Sequence, residues 1–217
     1  MDKRRLREAE EAFLKQFPGG FSHPEMLQLA KKHKVEKMKK LAQESFAAGN
    51  FELPDSIVDS MGKIVSQSSL ISIFEKPKFR DFIKGLSEGE KVHFSHGLRE
   101  FFYGDQALGF GLMTGLLQEY KLAKWPLLTV FGIYLRPNVE VFIKPTTVKG
   151  IIDCFDLGLT YRPTPSFAFY QEFRENIMEL KRSVHPSLQV DNAAFCGFLM
   201  LAIDGFHTKA PAPPQQL

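Results

Sequence analysis

WPLLTVFGIYLRPNVEVFIKP, residues 125–145, decides how the rest of the chain is read. It holds the only tryptophan, three of the thirteen prolines and the densest apolar run. Pro126 suits the first turn of a helix, where its missing N–H is not needed. Leu127 to Leu135 then reads as one buried helix. A β-hairpin fits the same letters, with arms rich in β-branched and aromatic residues around a turn at Arg136-Pro137-Asn138. Periodicity does not separate a short buried helix from a buried strand. The second arm alternates Val139, Val141 and Ile143 with Glu140, Phe142 and Lys144, and is the more strand-like. The favoured reading is a helix through Leu135 and an extended segment over 139–144. Pro145 ends that segment, and Thr146 or Thr147 caps the helix that follows.

On both sides of this stretch the pattern is helical. Leu6, Ala9, Phe13, Leu14 and Phe17 mark an amphipathic helix that Pro18-Gly19-Gly20 stops. A second helix starts at His23-Pro24 and runs, with a break, to about Ala48, where Gly49-Asn50 ends it. A third runs from Pro54 to Val65, and the apolar pattern resumes over Leu70 to Phe74 until Pro77 breaks it. A short helix covers Phe79 to Ile83. Ser87 and Glu90 form a capping box for a helix through Phe102. Glycine-bearing Gln106–Tyr120, Val148–Phe155, amphipathic Phe167–Val184 and a last segment capped by Asp191 complete the set. The fold class is mostly α: an irregular multi-helix bundle with at most one short extended segment or β-hairpin near 127–144. Nothing alternates as strand–helix–strand, so a doubly wound sheet is not expected.

Composition bounds the function. An apolar share of 44%, with 21 Phe, gives a sizeable core and rules against disorder in the body. A net charge of +3 is too weak by itself to indicate nucleic acid. Its distribution says more. Residues 1–40 carry 11 Lys/Arg against 6 Asp/Glu, so the basic excess sits at the N-terminus and the remainder is slightly acidic. Charged DKRRLREAEEAF excludes a secretory signal there, and no uncharged apolar run reaches membrane-spanning length, so no membrane association is expected. Cys154 and Cys196 lie in apolar surroundings with no CxxC partner, which points to reduced core thiols and a cytoplasmic setting. The expected organisation is one helical domain over 1–207, with 1–50 as a semi-independent basic helical hairpin, and a disordered Pro-rich tail over 208–217.

Several landmarks resemble an uncharacterised bacterial family of about 200–220 residues. They are FPGGF (17–21), KWPLLT (124–129), Pro137, FIKPTTVKG (142–150), LTYRP (159–163), FYQEF (169–173) and the segment from Asp191 to Phe198. The chain departs from the family in reading VDNAAFCGF at its close and in a lysine-rich stretch after FPGGF. The resemblance implies a protein of this size and no particular activity. The order proline, extended segment, proline, helix is also similar to helical modules of bacterial restriction and defence ATPases.

Each chemical motif has a plainer structural reading. His93 and His96 share a helix face, but no third metal ligand stands near. Gly109, Gly111 and Gly115 lie inside an apolar segment rather than between a strand and a helix, which suits close helix packing better than phosphate binding. Hydrolase, metalloprotease, Walker and EF-hand signatures are absent. The surface feature that remains is KKHKVEKMKK, with Lys31, Lys32, Lys34, Lys37, Lys39 and Lys40 in ten residues, joined by Arg4 and Arg5 of the preceding helix. The leading expectation is a non-enzymatic binding module using this basic face, with nucleic acid or an acidic protein as partner and no cofactor or metal. One alternative is a small-molecule or enzymatic pocket among Trp125, Lys144, Tyr161 and Tyr170, whose plainer reading is core aromatics with polar tips. The other is a structural subunit of a homo-oligomer.

Overall fold

The computed structural model describes residues 1–209. Its α-helices are α1 (Lys3–Gln16), α2 (Pro24–Lys32), α3 (Val35–Ser45), α4 (Pro54–Gln67), α5 (Glu75–Gly85), α6 (Glu88–Tyr103), α7 (Gln106–Glu119), α8 (Trp125–Leu135), α9 (Pro145–Cys154), α10 (Phe167–Arg182) and α11 (Asn192–Lys209). There is no β-strand among the described residues, and no helix there is long and apolar enough to cross a membrane. The predicted tail over 208–217 lies outside the described residues from 210 onward, while Thr208 and Lys209 complete α11.

Local chemistry sets the helix starts. Asp2 accepts from Arg4 N and Arg5 N at the head of α1, and Asp105 accepts from Leu108 N at the head of α7. The Ser87–Glu90 capping box forms as read, and Asp191 Oδ1 accepts from Ala194 N at 2.8 Å to open α11. Pro24, Pro54, Pro126 and Pro145 occupy first turns. Pro145 itself starts α9, so neither Thr146 nor Thr147 is the cap. Pro77 likewise lies in the first turn of α5 rather than breaking a helix, because no intrahelical bond is required of its nitrogen there.

The Trp125 stretch is a helix, and the hairpin does not form. All residues of α8 from Trp125 to Tyr134 are buried. A helix enclosed on every side has no polar face and so no helical period to read. Arg136 N caps it by donating to Gly132 O at 2.8 Å, and Val139 N returns to Arg136 O at 2.9 Å. Residues 140–144 then form neither helix nor strand, and Lys144 is extended where α9 begins. Side chains satisfy that backbone instead: Val141 N donates to Tyr170 Oη at 3.3 Å and Ile143 N to Thr129 Oγ1 at 3.0 Å.

Around α8, α3 and α4 pack on one side and the α6–α7 hairpin on another, while α1 and α9 flank α11. Phe46, Phe79, Phe94, Phe101, Phe110 and Phe131 are fully buried, and the apolar core runs continuously from Leu6 to Ile203. Two glycine sites fix close approaches. A Cβ on Gly109 would lie 2.2 Å from Phe101 N, so α6 and α7 cross backbone to backbone. Gly19 and Gly20, in FPGGF, both have positive φ, and a Cβ on Gly20 would lie 2.6 Å from Ser187 Oγ. That motif is a chain reversal laid against the short 3-10 turn Pro186–Leu188.

Candidate functional site

The helix expected from Pro24 to about Ala48 is two helices meeting at a corner. Lys34 stands between them in the left-handed conformation, with φ 53°. α2 has no buried residue. Met26 packs against the core, while Leu27 and Leu29 are 51% and 44% exposed. α3 is anchored through buried Met38 and Ala42. His33 Nδ1 lies 2.9 Å from Ser69 Oγ and pins the corner to the loop between α4 and α5.

The predicted basic residues take different roles on this frame. Lys31, Lys32, Lys34 and Lys37 are exposed and form no ion pair with any described residue. Lys40 reaches Glu44 at 3.7 Å. Lys39 turns inward, with Nζ 3.0 Å from both Glu36 and Asp191. Burial alone would lower the Lys39 pKa, but hydrogen bonds from its ammonium to Asp191 and Glu36 outweigh it and the net shift is upward. Lys39 therefore ties α3 to the cap of α11. Arg4 pairs with Glu8 at 3.9 Å, and Arg5 pairs with Asp2 and donates to Cys154 O at 3.1 Å, closing the end of α9. The arginines belong to the α1–α9 junction and the lysines to the α2–α3 corner.

The other predicted group, Trp125, Lys144, Tyr161 and Tyr170, comes together only in part. Trp125 is buried and donates from Nε1 to Arg162 O at 2.8 Å. Phe169 stands 5.4 Å from Trp125 and 5.9 Å from Tyr161 between ring centroids, and Phe110 lies 5.6 Å from Tyr170. Phe110 and Phe169 occupy the space between these side chains. Lys144 is exposed at the head of α9, and Lys149 rather than Lys144 covers Tyr161, at 5.1 Å.

A polar cluster that the sequence pattern does not mark lies beneath this region. The Glu140 side chain is 1% exposed. It accepts from Tyr170 Oη at 2.6 Å, Gln106 Nε2 at 2.9 Å and Arg174 Nη1 at 2.9 Å. Its carbonyl accepts from Asn192 Nδ2 at 2.9 Å, and Lys181 Nζ donates to Asn192 Oδ1 at 3.0 Å. Burial first, and then the Glu140 charge, push the Tyr170 phenol well above its ordinary range. Burial lowers the Lys181 pKa. No buried side-chain nitrogen or oxygen among the described residues lacks a hydrogen-bond partner. The network pins the 139–144 segment to α7, α10 and α11. Its only sequence signal is a single Glu in an otherwise apolar run.

The remaining motifs resolve structurally. His93 Nε2 lies 3.3 Å from Leu112 O and His96 Nε2 lies 3.6 Å from Glu100. No group of three or more His, Cys, Asp or Glu among the described residues is placed to hold a metal ion. Burial raises both cysteine pKa values, that of Cys196 to about 12. Such thiols carry little thiolate at neutral pH. No family model, curated protein or solved structure matches the chain.

Proposed function

We propose that this protein is a non-enzymatic binding module whose contact surface is the α2–α3 corner and whose partner is an acidic protein. The observation that carries this reading is α2 itself, a helix with no buried residue that exposes Leu27 and Leu29 beside Lys31, Lys32, Lys34 and Lys37. Phosphate backbones call for the lysines but make no use of the leucines. An acidic protein with an apolar stripe uses both, the leucines in the centre of the contact and the lysines at its rim. α2 and α3 also carry no aromatic residue on which a base would stack. Nucleic acid is the second reading, favoured by the lysine density alone. The pocket among Trp125, Lys144, Tyr161 and Tyr170 has less support, because Phe110 and Phe169 fill it and the neighbouring charges are held in the Glu140 network. We also propose membership of the bacterial family that the landmarks resemble. In support, FPGGF packs closely against Ser187, Trp125 and Phe169 are buried, and Pro145 opens α9.

The test is fluorescence anisotropy at two salt concentrations. The probes are a glutamate-rich amphipathic helical peptide with a leucine stripe, duplex DNA, and single-stranded DNA and RNA. Wild type is compared with a variant carrying Lys31, Lys32, Lys34 and Lys37 changed to Gln, which takes the formal net charge from +3 to −1, and with Leu27→Ser/Leu29→Ser. Lys39 is left intact because it holds Asp191. Peptide binding lost in both variants is the expected result. Binding of nucleic acid that falls with salt, disappears in the lysine variant and survives in the leucine variant transfers the function to the second reading. No binding of any probe at low salt reduces the corner to a solvated face.

A further inference from the structure

Two features of the α5–α7 region fit one another. The first is a knob. In the loop before α5, Ile73 and Phe74 are 72% and 76% exposed, more than any other large apolar side chain described. The loop presenting them is tied down. Ser68 is buried with Oγ 2.8 Å from Tyr134 Oη, Leu70 N donates to Ser68 Oγ at 3.1 Å, and Ile71 is buried. Phe74 N donates to Ser72 Oγ at 3.3 Å. Glu75 is neutralised by Lys124 at 3.3 Å, which leaves Lys76 and Lys78, without an ion pair among the described residues, as the free charges that follow the knob in sequence. A knob held in place loses little conformational freedom on docking.

The second feature is a groove of about 730 Å³ on the face of α6 and α7. Gly111 and Gly115 lie along it, and a Cβ added at either would meet nothing within 4 Å. Leu108 and Leu112 give it apolar walls, while Glu90 and Glu119 stand among its lining residues. The volume falls in the range of ordinary binding clefts, roughly 300–1,000 Å³. The apolar knob with the lysines that follow it thus complements the apolar walls and negative charge of the groove. Both lie on neighbouring elements, since Phe82 of α5 meets Tyr120 edge to face at 4.9 Å and Tyr120 Oη donates to Glu90 at 2.6 Å.

We propose that the occupant of the α6–α7 groove is the Ile73–Phe74 knob of a second copy of this chain, in a two-fold dimer where each copy supplies one knob and one groove. Two-fold symmetry makes the contact reciprocal and closes the assembly at two chains. This interface stands apart from the lysine corner and does not depend on what that corner binds.

The experiment is sedimentation equilibrium of the full chain from about 1 to 100 µM, a span that captures micromolar association. Wild type is expected at twice the chain mass at the upper end. Phe74→Asp removes the knob. Gly111→Leu fills the groove without touching this chain's own core and replaces a poor helix former with a good one, so its Tm is expected to hold or rise. Each is expected to weaken dimerisation at least tenfold. Lys78→Glu is expected to weaken it too, and Glu119→Lys added to Lys78→Glu to restore it. Monomeric wild type across the range overturns the proposal. So does a dimer that survives either Phe74→Asp or Gly111→Leu, or one that the paired charge reversal leaves broken.

Discussion

Gly109→Ala tests the backbone-to-backbone crossing of α6 and α7 that frames this molecule. A Cβ there would lie 2.2 Å from Phe101 N, 2.5 Å from Gly97 O and 2.7 Å from Phe101 Cα. All three are main-chain atoms in a regular helix, so no side chain rotates away and the two helices must part. Overpacking of this kind costs about 1–3 kcal/mol, and a backbone clash belongs at the upper end. Alanine regains about 0.8–1 kcal/mol of helix propensity. The net loss is then about 2 kcal/mol, a fall of about 4–8 °C in Tm for a domain of this size. Gly62→Ala is the matched control. It lies inside α4, and its added Cβ would meet Ile83 at 3.7 Å, an ordinary contact. There the gain of about 0.5–1 kcal/mol stands unopposed and raises Tm by about 1–4 °C. Trp125, the sole tryptophan and 1% exposed, reports unfolding for both variants by fluorescence in heat and in urea. Opposite signs are expected. A Gly109→Ala protein as stable as wild type would mean that α6 and α7 do not touch at that crossing, and the groove built on their outer face would fall with it.

Glu140→Ala is expected to cost about 3–5 kcal/mol, because it leaves Arg174, Gln106 and the Tyr170 hydroxyl without their shared acceptor. Tyr170→Phe keeps the ring and should cost only about 1–2 kcal/mol, and urea unfolding ranks the two. Cys196 gives a pH prediction. Burial raises its thiol to about 12 in the folded chain, while an unfolded thiol ionises near about 8.5. A raised folded value means stability is complete below the unfolded value and is lost as pH climbs from there toward the folded one. Cys196→Ala is therefore expected to lose less stability than wild type between about pH 9 and 11, and urea midpoints across that range measure the difference. Parallel curves for the two proteins would mean that the part-buried thiol ionises as readily in the folded chain as in the unfolded one.

What was legible in the sequence was local. The capping box at Ser87, the Asp191 cap and the first-turn Pro126 act within three or four residues, and each holds in the structure. In the α8 stretch Pro126 favoured the helix that forms, but the letters left a hairpin open, because a helix enclosed on every side shows no period. What was not legible depends on distance along the chain. Alternation placed Glu140 on the face opposite Val139 and Val141, as on a half-exposed strand. Its actual environment comes from Gln106, Tyr170 and Arg174, 30 to 34 residues away, and a carboxylate can be buried only where such partners converge.

The same rule divides the lysine run. Six lysines in ten residues read as one face, yet Lys39 differs from its neighbours because Asp191, 152 residues on, waits to pair with it. Lys31, Lys32, Lys34 and Lys37 have no such partner among the described residues and keep their charge at the surface. The apolar run from Leu70 to Phe74 divides likewise. Ile71 turns into the core while Ile73 and Phe74 point away from it, a split that letters of equal hydrophobicity do not encode. In each run the residues left over after the fold has used the rest, four lysines beside Leu27 and Leu29 and two apolar side chains beside Lys76, are those free to meet a partner. Exposed apolar surface rimmed by charge marks an interaction site on a folded chain, so its presence at both places is the reason to look for partners there.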